Sequence, residues 1–320
     1  MKIIEGKEVE EILSAKACVK LMKETLINLE EGKAMQPMRL ICNMPNTAKF
    51  GFMPAYLGDG DYYGAKVLTA YPPNMGTGYP SHIGYVMLFE PEHSQVAGLV
   101  DATAVTAIRT GAVSAAATDC LAREDSRVMA ILGAGEQARS HARAICTVRE
   151  IEEIRIYDIR NEASWRFKEE MEQELAVSIV ICEEIMDATK EADIICTVTP
   201  GGKEGAPILY GSMVKAGVHI NAVGTFTPGT REIASDLMAV SSLYGDSIEG
   251  VKKESGEYIV PEKEGLIDEN HIKGTIGMVL SGKIPGRKSE KEITIFDALG
   301  LAVEDVAAAK YVLLHDSQNE

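Results

Sequence analysis

The sequence predicts an α/β protein in which a doubly wound parallel sheet follows a mostly antiparallel sheet. From residue 127 onward, short apolar runs alternate with helical segments, and this alternation is typical of a parallel sheet buried on both faces. A glycine turn joins the first of these apolar runs to a helix. Between residues 35 and 100, β-rich runs alternate with Gly, Pro and Asn clusters, which favours antiparallel strands joined by turns.

The predicted elements follow one another in a simple order. Residues 8–31 carry apolar side chains at helical spacing, and the Ala/Thr-rich residues 102–122 predict a second helix. The antiparallel strands are predicted in MRLICNM, YYGAKVLTAY and IGYVMLFEP. The parallel strands are predicted in RVMAILG, EIRIYDI, VSIVIC, ADIICTVT, VHINAVG and SSLYGD, with helices ending near residue 148 and covering residues 162–175. A last amphipathic helix is predicted in LAVEDVAAAKYVLLHD.

Composition and charge exclude several classes of function. The 48 acidic residues exceed the 32 basic ones, for a net charge of −16, which argues against nucleic acid or an anionic membrane surface as a partner. The sequence has no uncharged apolar run long enough for a transmembrane helix, and its N-terminus lacks the apolar core of a signal peptide. The six cysteines and six histidines form no metal-binding motif, so we expect no metal and a reducing, cytoplasmic location.

The glycine turn in ILGAGEQA predicts a dinucleotide-binding site. Gly133, Gly135 and Ala138 fit the pattern G-x-G-x-x-G/A, in which the first glycine allows a tight turn and the second allows a pyrophosphate to approach the backbone. The small third residue permits close packing of helix and strand. The helix then begins with Glu136 and Gln137, where unpaired N–H groups and the helix dipole favour phosphate.

An acid follows at the spacing that a ribose contact requires. Asp158 ends the next strand, 23 residues after Gly135, about where an acid bonds the adenosine ribose 2′-hydroxyl. A carboxylate there repels a 2′-phosphate, so NAD(H) is favoured as the cofactor. Arg160 keeps NADP(H) possible, because a nearby arginine can accommodate that phosphate. The alternative is a glycine turn that binds nothing, with Asp158 capping a turn.

Three cations lie on faces that are otherwise apolar. Arg109 has no acid three or four residues away on its helix, Lys66 shares a strand face with Leu68, and Arg39 shares one with Ile41. These cations can converge on a small carboxylate, for which arginine is well suited. They can also form internal salt bridges or extend to solvent. The residues alone favour the internal pairing, because buried basic side chains usually find structural acids.

Three further polar residues have less specific interpretations. His82, in GYPSHIGYV, is on its own more typical of a hydrogen-bonded structural histidine than of a catalyst. Glu304 and Asp305, in the last helix, are expected on a solvated face or as partners for one of the three cations.

Taken together, the motifs resemble the ornithine cyclodeaminase/mu-crystallin family from Arg39 to Leu314. The segments that carry the resemblance are GFMPAY, GAKVLTAYPPN, PSHIGYVMLFEP, TAIRTGAVSAAAT, AILGAGEQARSHA, HINAVGTFTPGTRE and TIFDALGLAVEDVAAAKY. The resemblance implies a Rossmann-type NAD(P)-binding domain over residues 123–297. That domain is inserted into an α+β substrate-binding and dimerisation domain of residues 1–122 plus 298–320, and the protein is expected to be a homodimer.

The resemblance also implies roles for individual residues. It reverses the preference for internal pairing, since Arg39, Lys66 and Arg109 match positions that hold a substrate carboxylate beside the nicotinamide. Lys66 or His82 is then a candidate proton donor. The further positions that match cofactor contacts are Thr110 at a phosphate, Thr197, Val198, Thr199 and Val223 along the cofactor, and Leu299 near the nicotinamide.

Two departures from the cyclodeaminase pattern indicate the reaction. Phe226 and Gly51 stand where ornithine cyclodeaminases carry an aspartate and a glutamate, so no carboxylate is available to handle a side-chain amine. The resemblance is closer to the mu-crystallin branch and implies NAD(P)H-dependent reduction of a cyclic ketimine, Δ1-pyrroline-2-carboxylate or Δ1-piperideine-2-carboxylate, to a cyclic L-amino acid. The alternatives are an ornithine cyclodeaminase, an alanine-type dehydrogenase and a non-enzymatic mu-crystallin-like binding protein.

Overall fold

The computed structural model of the chain describes residues 1–45, 47–74, 77–79 and 82–316, apart from the side chain of His82. Its contacts divide the chain into two compact units. The first unit comprises Met1–Arg109 and Gly300–Glu320, and the second comprises Thr110–Leu299. The first unit therefore combines both ends of the chain.

The strands and helices alternate as follows. The strands are β1 (Lys2–Ile4), β2 (Leu40–Asn43), β3 (Lys49–Tyr56), β4 (Tyr63–Ala70), β5 (His82–Phe89), β6 (Val96–Asp101), β7 (Val128–Leu132), β8 (Glu153–Tyr157), β9 (Ser178–Ile181), β10 (Ile194–Thr197), β11 (His219–Ala222), β12 (Ser242–Gly245), β13 (Ile272–Thr275) and β14 (Thr294–Asp297). The helices are α1 (Gly6–Ile12), α2 (Ala15–Glu30), α3 (Ala102–Leu121), α4 (Glu136–Ile145), α5 (Asn161–Leu175), α6 (Ile185–Thr189), α7 (Ser235–Ala239), α8 (Ile248–Glu254), α9 (Gly256–Lys263), α10 (Ile276–Leu280) and α11 (Ala302–Asp316).

The first unit is built on a six-stranded sheet in the order β1-β6-β5-β4-β3-β2. Its strands pair antiparallel, as the sequence predicts, except that β1 runs parallel to β6. One row across the sheet joins Met53, Lys66, Val86 and Val100 in register, and all four side chains are buried. Helix α11 packs against strands β3 to β6 and against α2, so it covers the face on which Lys66 lies.

The N-terminal helix is shorter than its sequence pattern suggests. The prediction of one helix over residues 8–31 was wrong, because α1 ends at Ile12 and α2 begins at Ala15. Between them Ser14 has an extended backbone, and its hydroxyl accepts a hydrogen bond from the Ala17 amide at 3.3 Å. A serine that caps a helix in this way competes with continuation of the preceding helix. The apolar periodicity simply continues across the break.

The second unit is built on an eight-stranded parallel sheet in the order β13-β12-β14-β11-β10-β7-β8-β9. The doubly wound parallel sheet that the sequence predicts is therefore confirmed. The apolar strands form its core, and Ile131, Ile195, Ile220 and Ile295 are fully buried. Strands β13 and β14 were not among the predicted strands. The strand order reverses between β7 and β10, and crevices at such points are where α/β proteins bind ligands.

Among the described residues, the structure has no helix of the length and apolar character that spanning a membrane requires.

Candidate active site

The first unit holds a buried cluster of two cations and two carboxylates. The Lys66 Nζ lies 2.6 Å from the Asp305 Oδ2, and the Arg109 Nε donates to the Asp305 Oδ1 at 2.9 Å. The Arg109 Nη1 donates to the Glu304 Oε2, also at 2.9 Å. All four residues are at most 5% exposed. We call Lys66, Arg109, Glu304 and Asp305 the buried charge cluster; its formal charges sum to zero.

Local structure explains why these four side chains meet. Lys66 projects from the buried row of the sheet, and α11 carries Glu304 and Asp305 in its first turn across that face. Arg109 comes from α3, and the Thr106 hydroxyl one turn earlier accepts a hydrogen bond from the Lys66 Nζ at 3.3 Å. Two of the three predicted cations therefore have internal acid partners, which is the pairing that the residues alone favour. That the same cations hold a substrate carboxylate stays a prediction from the resemblance. Glu304 and Asp305 are partners of cations, as one interpretation held; the other, a solvated face, was wrong, because both are fully buried.

Burial and charge shift the ionisation of the cluster in opposite directions. Burial lowers the pKa of Lys66 below its ordinary value, and Asp305 opposes that shift without cancelling it. Burial acts to raise the pKa of Asp305, but the charges of Arg109 and Lys66 outweigh it and hold that pKa below its ordinary value. Asp305 is therefore the stable anion of the cluster, and Lys66 is a stronger acid than an exposed lysine.

Arg39 and His82 lie on the same sheet at different distances from Lys66. Arg39 directly precedes β2 and is half-buried. Continuing the β2–β3 register by one residue places it opposite Met53, and therefore on the row of Lys66, two strands away; two strand spacings are about 10 Å. His82 opens β5 opposite Ala70, and its side chain lies outside the described residues.

The second unit places the glycine turn at the carboxyl end of β7. Gly133 has φ +100°, and a Cβ there would lie 3.0 Å from the Val198 carbonyl oxygen, so the turn requires glycine. A Cβ on Gly135 would meet no atom within 4 Å. Helix α4 begins directly after Gly135 with no side-chain cap, and Ala138 is fully buried against its neighbours. Open space in front of an uncapped helix N-terminus fits a bound pyrophosphate.

The predicted ribose acid lies beside this turn. The Asp158 Oδ2 accepts a hydrogen bond from the Ala134 amide at 2.8 Å, and its Oδ1 accepts one from the Arg160 amide at 2.8 Å. The Arg160 side chain is largely exposed, with its Nε 3.5 Å from the Asp158 Oδ1. The carboxylate is thus fixed to the backbone of the glycine turn itself, and its contact with a ribose hydroxyl stays a prediction.

Most of the remaining predicted cofactor residues lie at or after the carboxyl ends of parallel strands in the second unit. Thr197 ends β10, and the Val198 amide donates to the Leu132 carbonyl at 3.0 Å. The Val223 amide, after β11, donates to the Thr197 carbonyl at 3.0 Å. The Leu299 amide donates to the Asp246 Oδ2 at 2.7 Å. Thr110, in α3, is 8% exposed.

Sequence reasoning missed the buried acids of the second unit. Glu232, Glu257 and Asp297 are at most 1% exposed, and none of them was a candidate residue. The available signal was weak, since a single acid beside apolar residues is also common at a surface. Within the described residues, no group of three or more His, Cys, Asp or Glu side chains is arranged to hold a metal.

Comparison with known proteins identifies the family. The model of the ornithine cyclodeaminase/mu-crystallin family matches residues 2–319. The chain belongs to this family. This match confirms the family to which the sequence motifs point. The chain is also 37% identical over 288 residues to the ketimine reductase mu-crystallin of Mus musculus, and the match covers 90% of this chain and 86% of that protein.

Two solved structures share the fold over the whole chain. The Δ1-pyrroline-2-carboxylate reductase of Thermococcus litoralis, in complex with NADH and L-proline, matches with a TM-score of 0.95 and 36% identity over 100% of this chain and 98% of that one. An archaeal alanine dehydrogenase dimer with bound NAD matches with a TM-score of 0.93 and 31% identity, covering 100% and 97% of the two chains.

The two departures from the cyclodeaminase pattern differ in their surroundings. A Cβ on Gly51, in β3, would lie 3.1 Å from the Leu68 Cγ and 3.3 Å from the Ile41 Cδ1. A glutamate at this position would therefore require its neighbours on β2 and β4 to move. Phe226 is 51% exposed, so its ring, rather than a carboxylate, presents an apolar surface in the second unit.

Proposed function

We propose that this protein reduces a cyclic ketimine, Δ1-pyrroline-2-carboxylate or Δ1-piperideine-2-carboxylate, to the corresponding cyclic L-amino acid with NADH or NADPH. The observation that carries the proposal is the buried charge cluster, taken together with membership of the family. The named relatives, a ketimine reductase and a Δ1-pyrroline-2-carboxylate reductase with bound NADH and L-proline, support it.

The charge balance within the cluster bears on how a substrate carboxylate is held. Lys66 and Arg109 are already matched by Glu304 and Asp305, so the charge of a substrate carboxylate has to be balanced from outside the cluster. Arg39 can balance it, or the substrate can carry its own positive charge. A protonated cyclic imine carries such a charge beside its carboxylate, whereas a 2-oxo acid is a net anion that depends on Arg39.

The chain's own groups then have separate tasks in the proposed reaction. Arg109, together with Arg39, holds the substrate carboxylate, and an arginine contact fixes orientation as well as charge. Lys66 orients the same carboxylate or keeps the imine nitrogen protonated, since its lowered pKa makes it the stronger acid. When bound, the nicotinamide supplies the hydride that reduces the imine carbon. Water or His82 is the alternative proton source.

The glycine turn and Asp158 fit the cofactor. The uncapped N-terminus of α4 and the space at Gly135 suit the pyrophosphate. Asp158 suits the ribose 2′-hydroxyl and favours NAD(H), while the exposed Arg160 keeps NADP(H) possible. Residues Thr110, Thr197, Val198, Thr199, Val223 and Leu299 are proposed to line the cofactor.

A steady-state assay tests the proposal. The purified protein is mixed with each cyclic imine and with NADH or NADPH, and oxidation of the cofactor is followed. We expect turnover with at least one imine; no oxidation above background with either imine would contradict the proposal. Ornithine is assayed in parallel for release of ammonia, which would indicate a cyclodeaminase. Phe226 and Gly51 argue against that outcome.

Two further alternatives are separated by simple controls. The archaeal alanine dehydrogenase favours an open-chain amino acid, so reduction of NAD by alanine is measured as well. A binding protein without activity is tested with Lys66→Ala, which should abolish turnover and retain cofactor binding. Lys310→Ala is the matched control, because Lys310 pairs with Asp61 at 2.6 Å on a less buried part of α11 and should leave the rate unchanged.

The protein is also proposed to be a cytoplasmic homodimer. Its six-stranded sheet has one buried face and one exposed face, and the exposed face carries Leu40, Phe50, Phe52 and Ile83 at 39% to 58% exposure. Apolar groups concentrated on one sheet face are typical of an interface between protein chains. The dimer of the alanine dehydrogenase supports the same assembly.

A further inference from the structure

One buried carboxylate in the second unit joins the loops that follow two neighbouring strands. Glu232 is fully buried, and its Oε1 accepts hydrogen bonds from the Thr199 amide at 2.8 Å and the Thr199 hydroxyl at 2.7 Å. Its Oε2 accepts hydrogen bonds from the Thr197 hydroxyl at 2.8 Å and the Gly224 amide at 2.7 Å. Burial raises the pKa of Glu232 above its ordinary value, and the hydrogen bonds from these four donors oppose that shift.

The residues that Glu232 holds lie directly against the glycine turn. A Cβ on Gly133 would come within 3.1 Å of the Thr199 Cγ2. A Cβ on Gly224 would come within 1.9 Å of the Thr199 carbonyl oxygen, so the loops after β10 and β11 also touch each other. The loop after β10 lies at the reversal of strand order, where α/β proteins bind nucleotides, and the loop after β11 follows the neighbouring strand.

The backbone of Glu232 is itself held in place, by Glu257 and by two neighbouring amides. Its amide donates to the Glu257 Oε1 at 2.6 Å, and the neighbouring Ile233 amide donates to the Glu257 Oε2 at 2.9 Å. Its carbonyl accepts hydrogen bonds from the amides of Ile208 and Leu209. Helix α9, which carries Glu257, is thereby connected through Glu232 to the two loops beside the glycine turn.

From this geometry the structure assigns Glu232 as a positioning residue for the nicotinamide cofactor: its carboxylate fixes residues 197–199 and Gly224 in the arrangement that receives the dinucleotide. This inference rests on the proposed function. Because Glu232 is fully buried, it acts through the loops that it holds and touches no ligand itself. Loops that are ordered in advance lose less entropy when the ligand binds, so their order contributes directly to affinity.

The chain offers a matched control in Asp193, another buried carboxylate that ties loops together. Asp193 directly precedes β10 and accepts hydrogen bonds from the amides of Arg127 and Val128 at 2.8 Å and 3.0 Å. It lies at the amino end of the parallel strands, whereas Glu232 lies at their carboxyl ends. Losing either carboxylate should lower the free energy of unfolding, but only the loss of Glu232 should affect the cofactor.

The experiment compares Glu232→Gln with Asp193→Asn in the full-length protein. The dissociation constants for NADH and NADPH are measured by fluorescence without substrate, and folding is checked by circular dichroism and thermal unfolding. We expect Glu232→Gln to raise the dissociation constant for the preferred cofactor by about tenfold or more, because the amide NH2 cannot accept the hydrogen bonds it replaces. Asp193→Asn should change that constant by less than about twofold, since it leaves the loops beside the glycine turn intact. The KM for the cofactor should rise with the dissociation constant, and the KM for the imine should not.

Thr197→Val covers the case in which Glu232→Gln does not fold. This change removes one of the four hydrogen bonds at a fully buried side chain of nearly the same shape, and it should raise the same dissociation constant by a smaller factor. An unchanged constant in a folded Glu232→Gln or Thr197→Val protein overturns the inference, as does an equal rise in Asp193→Asn. A wild-type protein that binds neither cofactor would overturn both this inference and the proposed function.

Discussion

At the scale of single residues, the site contains two cations, Lys66 and Arg109, whose acid partners are far away in the sequence. The helix around Arg109 and the strand around Lys66 are apolar, and an isolated buried cation needs a partner from elsewhere. The structure supplies Glu304 and Asp305, which are 195 and 196 residues from Arg109. The internal pairing explains how these cations are tolerated in a buried place.

Asp158 gives a prediction about cofactor choice at the same scale. Asp158→Ala should weaken NADH binding by about tenfold, the effect of losing one hydrogen bond to a charged group. NADPH binding should weaken less, because the variant no longer repels a 2′-phosphate. Dissociation constants for both cofactors, measured by fluorescence, check this.

Arg160→Ala is the companion variant for that measurement. Its side chain is exposed beside Asp158, so its loss should affect NADPH more than NADH if the guanidinium assists a 2′-phosphate. A ratio of the two constants that stays the same in Asp158→Ala would remove Asp158 from the ribose site.

At the scale of elements, the two faces of the six-stranded sheet have different roles. Successive residues of β3 alternate between exposed and buried positions, with Phe50 and Phe52 outward and Gly51 and Met53 inward. The inward row carries Lys66 to α11. The outward row presents apolar groups, and the edge strand β2 continues it with Leu40. The alternation of side chains along the strands thus places the buried charge cluster on one face of the sheet and the proposed subunit interface on the other.

The outward face predicts the effect of charged substitutions on assembly. The double change Phe50→Lys and Phe52→Lys should make the proposed dimer monomeric, because charges would be buried in the interface without partners. Light scattering after size-exclusion chromatography measures the mass. Trp165→Lys is the control, since Trp165 is 54% exposed on α5 in the other unit and should leave the mass unchanged. A monomeric wild type, or a double variant that still forms dimers, would contradict the prediction.

At the scale of the whole molecule, buried carboxylates make stability depend on pH. Burial raises the pKa of Asp297 from 3.8 to about 7, and burial raises the pKa of Glu257 well above its ordinary value. The folded state therefore binds protons that the unfolded state releases. Stability from Asp297 is fully present below pH 4 and is lost as the pH rises through 7. Burial lowers the pKa of His141 to about 4. The contribution of His141 to stability therefore increases as the pH rises from 4 to 6.5, opposite to that of Asp297.

Asp297→Asn isolates the contribution of this carboxylate. An asparagine cannot ionise, so the free energy of unfolding of the variant should rise relative to the wild type by about 2 to 3 kcal/mol between pH 5 and pH 8. Denaturant unfolding at several pH values measures the difference. The control is Glu150→Gln at an 88% exposed side chain, whose pH curve should run parallel to the wild type. Parallel curves for Asp297→Asn would show that Asp297 does not release its proton in this range.

The parts of the fold that the sequence predicted are those with local signals. Strand–helix alternation and the glycine turn depend on residues close together in the chain, and the doubly wound sheet and the position of Asp158 beside the turn both followed from them. The break at Ser14 and strand β14 were missed, because helical periodicity continues across the first. The second is a four-residue strand, and its place between β11 and β12 is set by packing.

The sequence by itself determined the fold class, the family and the residue types of the site, because apolar period, glycine spacing and isolated cations are visible in the order of residues. Only the tertiary structure decided which charges meet. Lys66 and Arg109 find Asp305 and Glu304, and Glu232 finds Thr197, Thr199 and Gly224. The reason is physical: buried charges must be paired, but any acid in the chain can satisfy that need, and folding selects the one that the topology brings within hydrogen-bond distance.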